Sequence, residues 1–93
     1  MAAFDDCVRA ARIEAGKAEE RYGEFTSAHE ALGVLVEEFD ELRAAIHANS
    51  AMSVHGEAIQ VAAVALRLAA LCERWIATDR DSAAEAFGVR SGW

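Results

Sequence analysis

Val61-Ala-Ala-Val-Ala-Leu-Arg-Leu-Ala-Ala-Leu71 decides the fold of this chain. The run has no glycine and no alternation of apolar with polar positions. It reads as a helix that is apolar around nearly its whole circumference, broken only by Arg67. Such a helix must be covered on more than one side. The chain has 93 residues and no proline, and its remaining aliphatic residues also recur at helical spacing. A chain of this size buries a modest core, so association is a common supplement. The expected fold is all-α: an antiparallel bundle of three long helices plus a short C-terminal helix. It forms one domain over residues 1–93 and oligomerises through apolar helix faces, most simply as a two-fold dimer, with a tetramer as the alternative.

Working outward, the apolar run belongs to a third helix over about residues 54–77. The connection before it, Ala48 to Ser53, offers Asn49, Ser50 and Ser53 as N-caps and is short enough to fold this helix back on its predecessor. The second helix covers about residues 28–47 and opens on Ser27-Ala-His-Glu30, the pattern of a capping box. Its apolar stripe is Ala28, Leu32, Leu35, Phe39, Leu42 and Ile46. One row over lie Ala31, Val34, Glu38, Glu41 and Ala45, a row that starts apolar, carries two acids and returns to alanine. The first helix covers about residues 3–22, with Phe4, Val8, Ala11, Ala15, Ala18 and Tyr22 on one face. Gly23 follows where a C-cap belongs. Downstream, a short helix is expected over about residues 80–87, with Trp93 as a docking candidate beyond it.

Charge narrows the function. Sixteen acidic residues against nine basic ones give a formal net charge of -7. No excess of Lys and Arg exists to neutralise phosphates, which argues against a nucleic-acid or anionic-membrane partner. An acidic protein that handles phosphates does so most readily through a bound divalent cation. Cys7 and Cys72 read as reduced core thiols. The first residues lack the basic start and apolar run of a signal peptide. The stretch from Val61 to Cys72 is interrupted by Arg67 and is shorter than the ~20 residues that span a bilayer. The expected location is cytoplasmic.

The candidate chemistry lies in Glu37-Glu38-Phe39-Asp40-Glu41 and Glu57-Ala-Ile-Gln60. Acids three and four residues apart are ordinarily a solvated helix face. Glu57 changes the balance. On the third helix Glu57, Gln60, Val64, Arg67 and Leu71 share one face. If that helix runs antiparallel to the second, Glu38 and Glu41 can approach Glu57 and Gln60. Like charges so placed repel unless a cation sits between them. Two facing helices, each with a polar pair at i, i+3, are a recurrent way to build a metal site in a bundle.

These two segments, with the long Ala/Val/Leu helix after them, resemble the MazG-type all-α nucleoside triphosphate pyrophosphohydrolases, whose motifs are EExxE and ExxD on successive helices. The likeness covers about the central half of the chain. The stretch Tyr22-Gly-Glu-Phe25-Thr-Ser-Ala-His29-Glu30 also resembles small phage-borne members of that group. The resemblance implies Mg²⁺ (or Mn²⁺) held by Glu38, Glu41 and Glu57, with Glu37 as a further ligand or the group that orients the attacking water. It implies hydrolysis of a nucleoside triphosphate between the α- and β-phosphates, giving monophosphate and pyrophosphate. Mg²⁺ suits such a site because it takes hard oxygen ligands shared between carboxylates and substrate phosphates.

The chain departs from the motif at Gln60, where the family has Asp. A glutamine carbonyl still offers a hard oxygen but one charge fewer. This leaves open a second reading, a nucleotide-binding or regulatory helical module with weakened or lost turnover. Arg67, the lone charge in the apolar run, lies on the same face; it can reach a substrate or pair with a carboxylate at the surface. The family does not place a cation there. The scattered His29, His47 and His55 make no zinc site by spacing, and no phosphate loop or serine-nucleophile turn is present.

Overall fold

The computed structural model describes residues 2–78, which form three helices: α1 (Ala2–Tyr22), α2 (Ala28–His47) and α3 (Ala51–Thr78). Among the described residues there is no strand. The short helix expected over about residues 80–87 and the docking of Trp93 lie outside the described residues. α3 is the central element. It packs against both α1 and α2, whereas α1 and α2 make no packing contact with each other among the described residues. The result is an open wedge floored by α3.

The turns are local consequences of sequence. α1 ends at Gly23, whose φ of 78° is free of Cβ strain in glycine and whose amide donates to the Glu19 carbonyl. Ser27 caps α2 by accepting from the Glu30 amide at 3.0 Å. The reciprocal half of the expected capping box is displaced by one residue: Glu30 accepts from the backbone N–H of Thr26 at 2.6 Å and from its hydroxyl at 3.1 Å. α2 closes in a Schellman motif. Asn49 takes the left-handed position at φ 59°, its amide donates to the Ile46 carbonyl, and the Ser50 amide donates to the Ala45 carbonyl. Ser50 is at once the N-cap of α3, accepting from the Ser53 amide at 3.2 Å. α3 therefore begins at Ala51, ahead of the expected start near residue 54, because Ser50 and not Ser53 takes the cap.

Such a tight reversal fixes an antiparallel register about Asn49. Counting outward, Glu41 falls opposite Glu57, Glu38 opposite Gln60 and Val34 opposite Val64. The core around this seam contains Phe25, Ala31, Val64 and Leu71, with Val34, Leu35, Leu68 and Trp75 packed against it. The expected apolar stripe of α2 is buried only in part, with Ala28, Leu35 and Leu42 half-buried. Ala31 and Ala45, in the neighbouring row, face α3, while Leu32, Phe39 and Ile46 each remain about half exposed. Small alanines let two helix axes approach closely, so the alanine row takes the seam and its two acids go with it. α1 behaves alike: Ala11 is buried and Phe4, Val8 and Tyr22 are exposed.

α3 carries a buried cation. Arg67 is 7% exposed. Its Nε donates to Glu19 at 3.0 Å and a terminal nitrogen donates to the Gly23 carbonyl at 3.1 Å. Its guanidinium lies 4.0 Å from the centre of the Phe25 ring. Arg74 adds ion pairs to Glu24 and Glu19. This network fastens the α1–α2 connection to the last turns of α3. By length and a mean hydropathy of 1.3 alone, Ala51–Ala77 also qualifies as long enough to cross a bilayer. The polar face from Glu57 to Arg67 is the one turned toward α1 and α2.

Removing one partner of a buried ion pair leaves the other charge uncompensated. Glu19→Ala is expected to destabilise the fold by about 2–3 kcal/mol, a figure kept below the full buried-pair cost because Glu19 is partly solvated. Urea denaturation followed by helicity measures it. A variant as stable as wild type would show that the network is decorative.

Candidate metal centre

Glu38 and Glu41 sit one turn apart on the inner row of α2, and Glu57 sits in the second turn of α3. The Asn49 reversal brings them together: one carboxylate oxygen from each of the three lies within 4.8 Å of the others. Two oxygens on opposite sides of Mg²⁺ are about 4.2 Å apart at ordinary coordination distances, so the triad spans an ion-sized gap.

The electrostatics of the triad are unsatisfied. Glu38 and Glu57 are half-buried, and the Oε2 atom of each is shielded from solvent with no hydrogen-bond partner among the described residues. Burial holds the Glu38 carboxyl above the usual carboxylate range, reinforced by the charges of Glu41, Glu57 and Glu37. Glu57 is raised too, first by a hydrogen bond with the Glu41 side chain and then by desolvation and the Glu41 charge. Like charges this close raise the cost of ionising the group together.

The donor set fits a hard divalent cation. It is all oxygen, anionic, partly desolvated, and includes orphaned atoms that a cation would satisfy. Glu37, expected to join it, is exposed and acts on Glu38 through charge alone. Gln60, one turn beyond Glu57 on α3, lines the wedge cavity beside Glu38 and Glu14 of α1. The Gln60 amide and then Lys17, whose Nζ donates to Glu14 at 3.2 Å, hold the Glu14 carboxyl below its usual range.

A cavity of about 460 Å³ lies in the wedge between α1 and α2, and Glu38 is the member of the triad that lines it. Glu14, Glu38 and Gln60 line one part of it; Phe25, Val64 and Arg67 line another. Its volume is in the range of small-molecule sites. Arg67 borders this cavity while its guanidinium is engaged by Glu19, Gly23 and Phe25. Glu14, Glu19 and Phe25 were not singled out by sequence reasoning. Glu14 and Glu19 fall beside the alanine face of α1 and look there like any solvated acid; no spacing signal marks them.

No family model matches the chain, and neither curated proteins nor solved structures give a match.

The raised carboxyls have a consequence of definite sign. A carboxyl that binds its proton more tightly when folded makes the folded state the richer in protons between its two pKa values, so stability falls as pH rises through that window. The deficit persists above it. Without divalent ions, Glu57→Gln is therefore expected to melt higher than wild type at about pH 7.5, with the gap closing as pH falls toward the ordinary carboxyl value of 4.5. Adding Mg²⁺ should raise the wild-type melting temperature and leave the variant unchanged; a ligand at 100 times its Kd contributes about 2.7 kcal/mol. A variant that melts below wild type under metal-free conditions, or that responds equally to Mg²⁺, contradicts the assignment.

Proposed function

We propose that this protein is a Mg²⁺-dependent nucleoside triphosphate pyrophosphohydrolase of the MazG-like type. The single observation that carries the reading is the convergence of Glu38, Glu41 and Glu57 from two helices on one partly buried gap, with Glu38 also lining the wedge cavity. A cation held there would neutralise phosphate charge and polarise an attacking water. Glu41 and Glu57 would hold the cation, and the Gln60 carbonyl would supplement them. Glu38, half-buried and lining the cavity, is the group placed to take the proton of the water. The water adds to a phosphorus flanking the α–β bridge, the bond to the bridging oxygen breaks, and monophosphate and pyrophosphate leave. Glu37 strengthens the field on Glu38 from outside. The Phe25 and Arg67 side of the cavity receives the remainder of the nucleotide.

The exposed row Leu32, Val36, Phe39 and Ile46 on α2 supports a homodimer or higher homo-oligomer, since four large apolar side chains on one face are better buried than solvated. Gln60 favours one alternative, a nucleotide-binding module with little turnover.

The test is a panel of nucleoside triphosphates incubated with protein and Mg²⁺, read as pyrophosphate release. At least one nucleotide is expected to be cleaved, with Glu41→Gln slower by roughly 100-fold or more, the scale for losing one electrostatic group at a transition state. Calorimetric binding without release would favour the module. Neither binding nor release, with Glu41→Gln indistinguishable from wild type, would defeat both readings.

A further inference from the structure

Arg67 is the one charged residue buried among the described residues, at 7% exposed, and its guanidinium is only partly used. Nε donates to Glu19 at 3.0 Å and Nη2 donates to the Gly23 carbonyl at 3.1 Å. Phe25 covers one face, its ring centre 4.0 Å away. Nη1 makes no hydrogen bond among the described residues. Arg67 and Phe25 border the wedge cavity at its end beside the connection over residues 23–27. With Nε, Nη2 and one face taken, Nη1 is the part of the group left to the cavity.

The surroundings decide what Nη1 can meet there. Glu19 answers the charge of Arg67, and Glu24 and Glu30 border the same end of the cavity. A phosphate placed there would face two carboxylates and an arginine already neutralised. A neutral acceptor faces no such repulsion. Arginine has donors and no acceptor, so it takes a carbonyl oxygen and turns away an amino group.

Glu38 and Gln60 border the other end of the cavity, and Arg67 stands about 10 Å beyond Gln60 along α3. That interval is comparable with the reach of a nucleoside from its 5′-phosphate to the far edge of its base. A nucleotide with its phosphates at Glu38 therefore brings that edge to Nη1. Guanine and hypoxanthine carry a 6-oxo group there, and uracil and thymine a 4-oxo group; adenine and cytosine carry amino groups.

We propose that Arg67 determines substrate choice: Nη1 donates to the 6-oxo or 4-oxo group of the base, so oxo-bearing nucleoside triphosphates are taken over amino-bearing ones. The proposal rests on the pyrophosphohydrolase reading above and adds the base to it. Glu19, Gly23 and Phe25 position the guanidinium by fixing its plane and its other edge. An amino-bearing base leaves a buried donor unpaired, which is how such sites reject an analogue.

The experiment measures kcat/KM for pyrophosphate release with two matched pairs: inosine against adenosine triphosphate, and uridine against cytidine triphosphate. Wild type is expected to favour the oxo member of each pair by roughly 10- to 100-fold, the scale for one hydrogen bond to a charged group. Arg67→Gln, whose amide both donates and accepts, should bring both ratios toward unity. Arg67→Lys, which only donates, should keep the preference for the oxo member. Both variants are first checked for native helicity. If neither folds, nitrogen-15 NMR of the wild-type arginine side chains carries the test. The Arg67 Nη1 resonance should then shift with Mg²⁺ and an α,β-methylene uridine triphosphate, and not with the cytidine counterpart. A ratio near or below one in either pair, a preference that survives Arg67→Gln, or an Nη1 resonance that does not distinguish the two analogues overturns the proposal while leaving the enzyme reading standing. No release from any of the four nucleotides overturns the proposal, and no release across the wider panel overturns the enzyme reading beneath it.

Discussion

The antiparallel register of α2 and α3, set by the left-handed Asn49 between Ala48 and Ser50, is the constraint on which the rest depends. With the reversal confined to those residues, each turn of α2 has one fixed partner on α3. Val34 meets Val64 and the seam gains apolar burial; one turn nearer the reversal, the same geometry forces Glu38 and Glu41 against Glu57. The apolar pairs and the acidic triad belong to a single register. One cannot be had without the other. A shift of one residue in either helix would rotate the acids out of the seam and Ala31 and Ala45 with them.

Two electrostatic centres lie along α3, and they differ in kind. At Arg67 a buried cation meets a carboxylate, a carbonyl and an aromatic face, and the local charge is answered within the chain. At Glu57, about three turns earlier, three acids converge, and two of their shielded oxygens have no hydrogen-bond partner among the described residues. The same helix that satisfies a lone arginine so thoroughly sets Glu57 against the two acids of α2. Folding energy from the apolar seam and the Arg67 network offsets that repulsion.

Much of this was readable from residue order. The limits of α1 and α2 followed from Gly23, Ser27 and the apolar spacing, and the approach of Glu38, Glu41 and Glu57 followed from a short reversal between two amphipathic helices. Other features were not. Both rows of α2 are apolar enough to serve as a core, and bulk favoured Leu32, Phe39 and Ile46; the alanine row won because close approach to α3 needs small side chains. Arg67 could have pointed to solvent or inward, and its answer lay in Glu19 and Gly23, distant in sequence. Glu14 was invisible for a similar reason: the cavity it lines is shared with residues of other helices, and nothing in the period of α1 sets Glu14 apart from Glu20. Cap choice at Ser50 rather than Ser53 turned on which hydroxyl the Schellman turn leaves in reach.

The central claim is that a divalent cation is coordinated between α2 and α3, and paramagnetic broadening locates it most directly. In a uniformly ¹⁵N-labelled sample, substoichiometric Mn²⁺ should broaden the amide resonances of residues 38–41 and 57–60 first, leaving those around Phe4 and Ile76 sharp. Broadening centred instead on other acids, such as Asp5 and Asp6, or spread evenly over the acidic surface, would contradict the account.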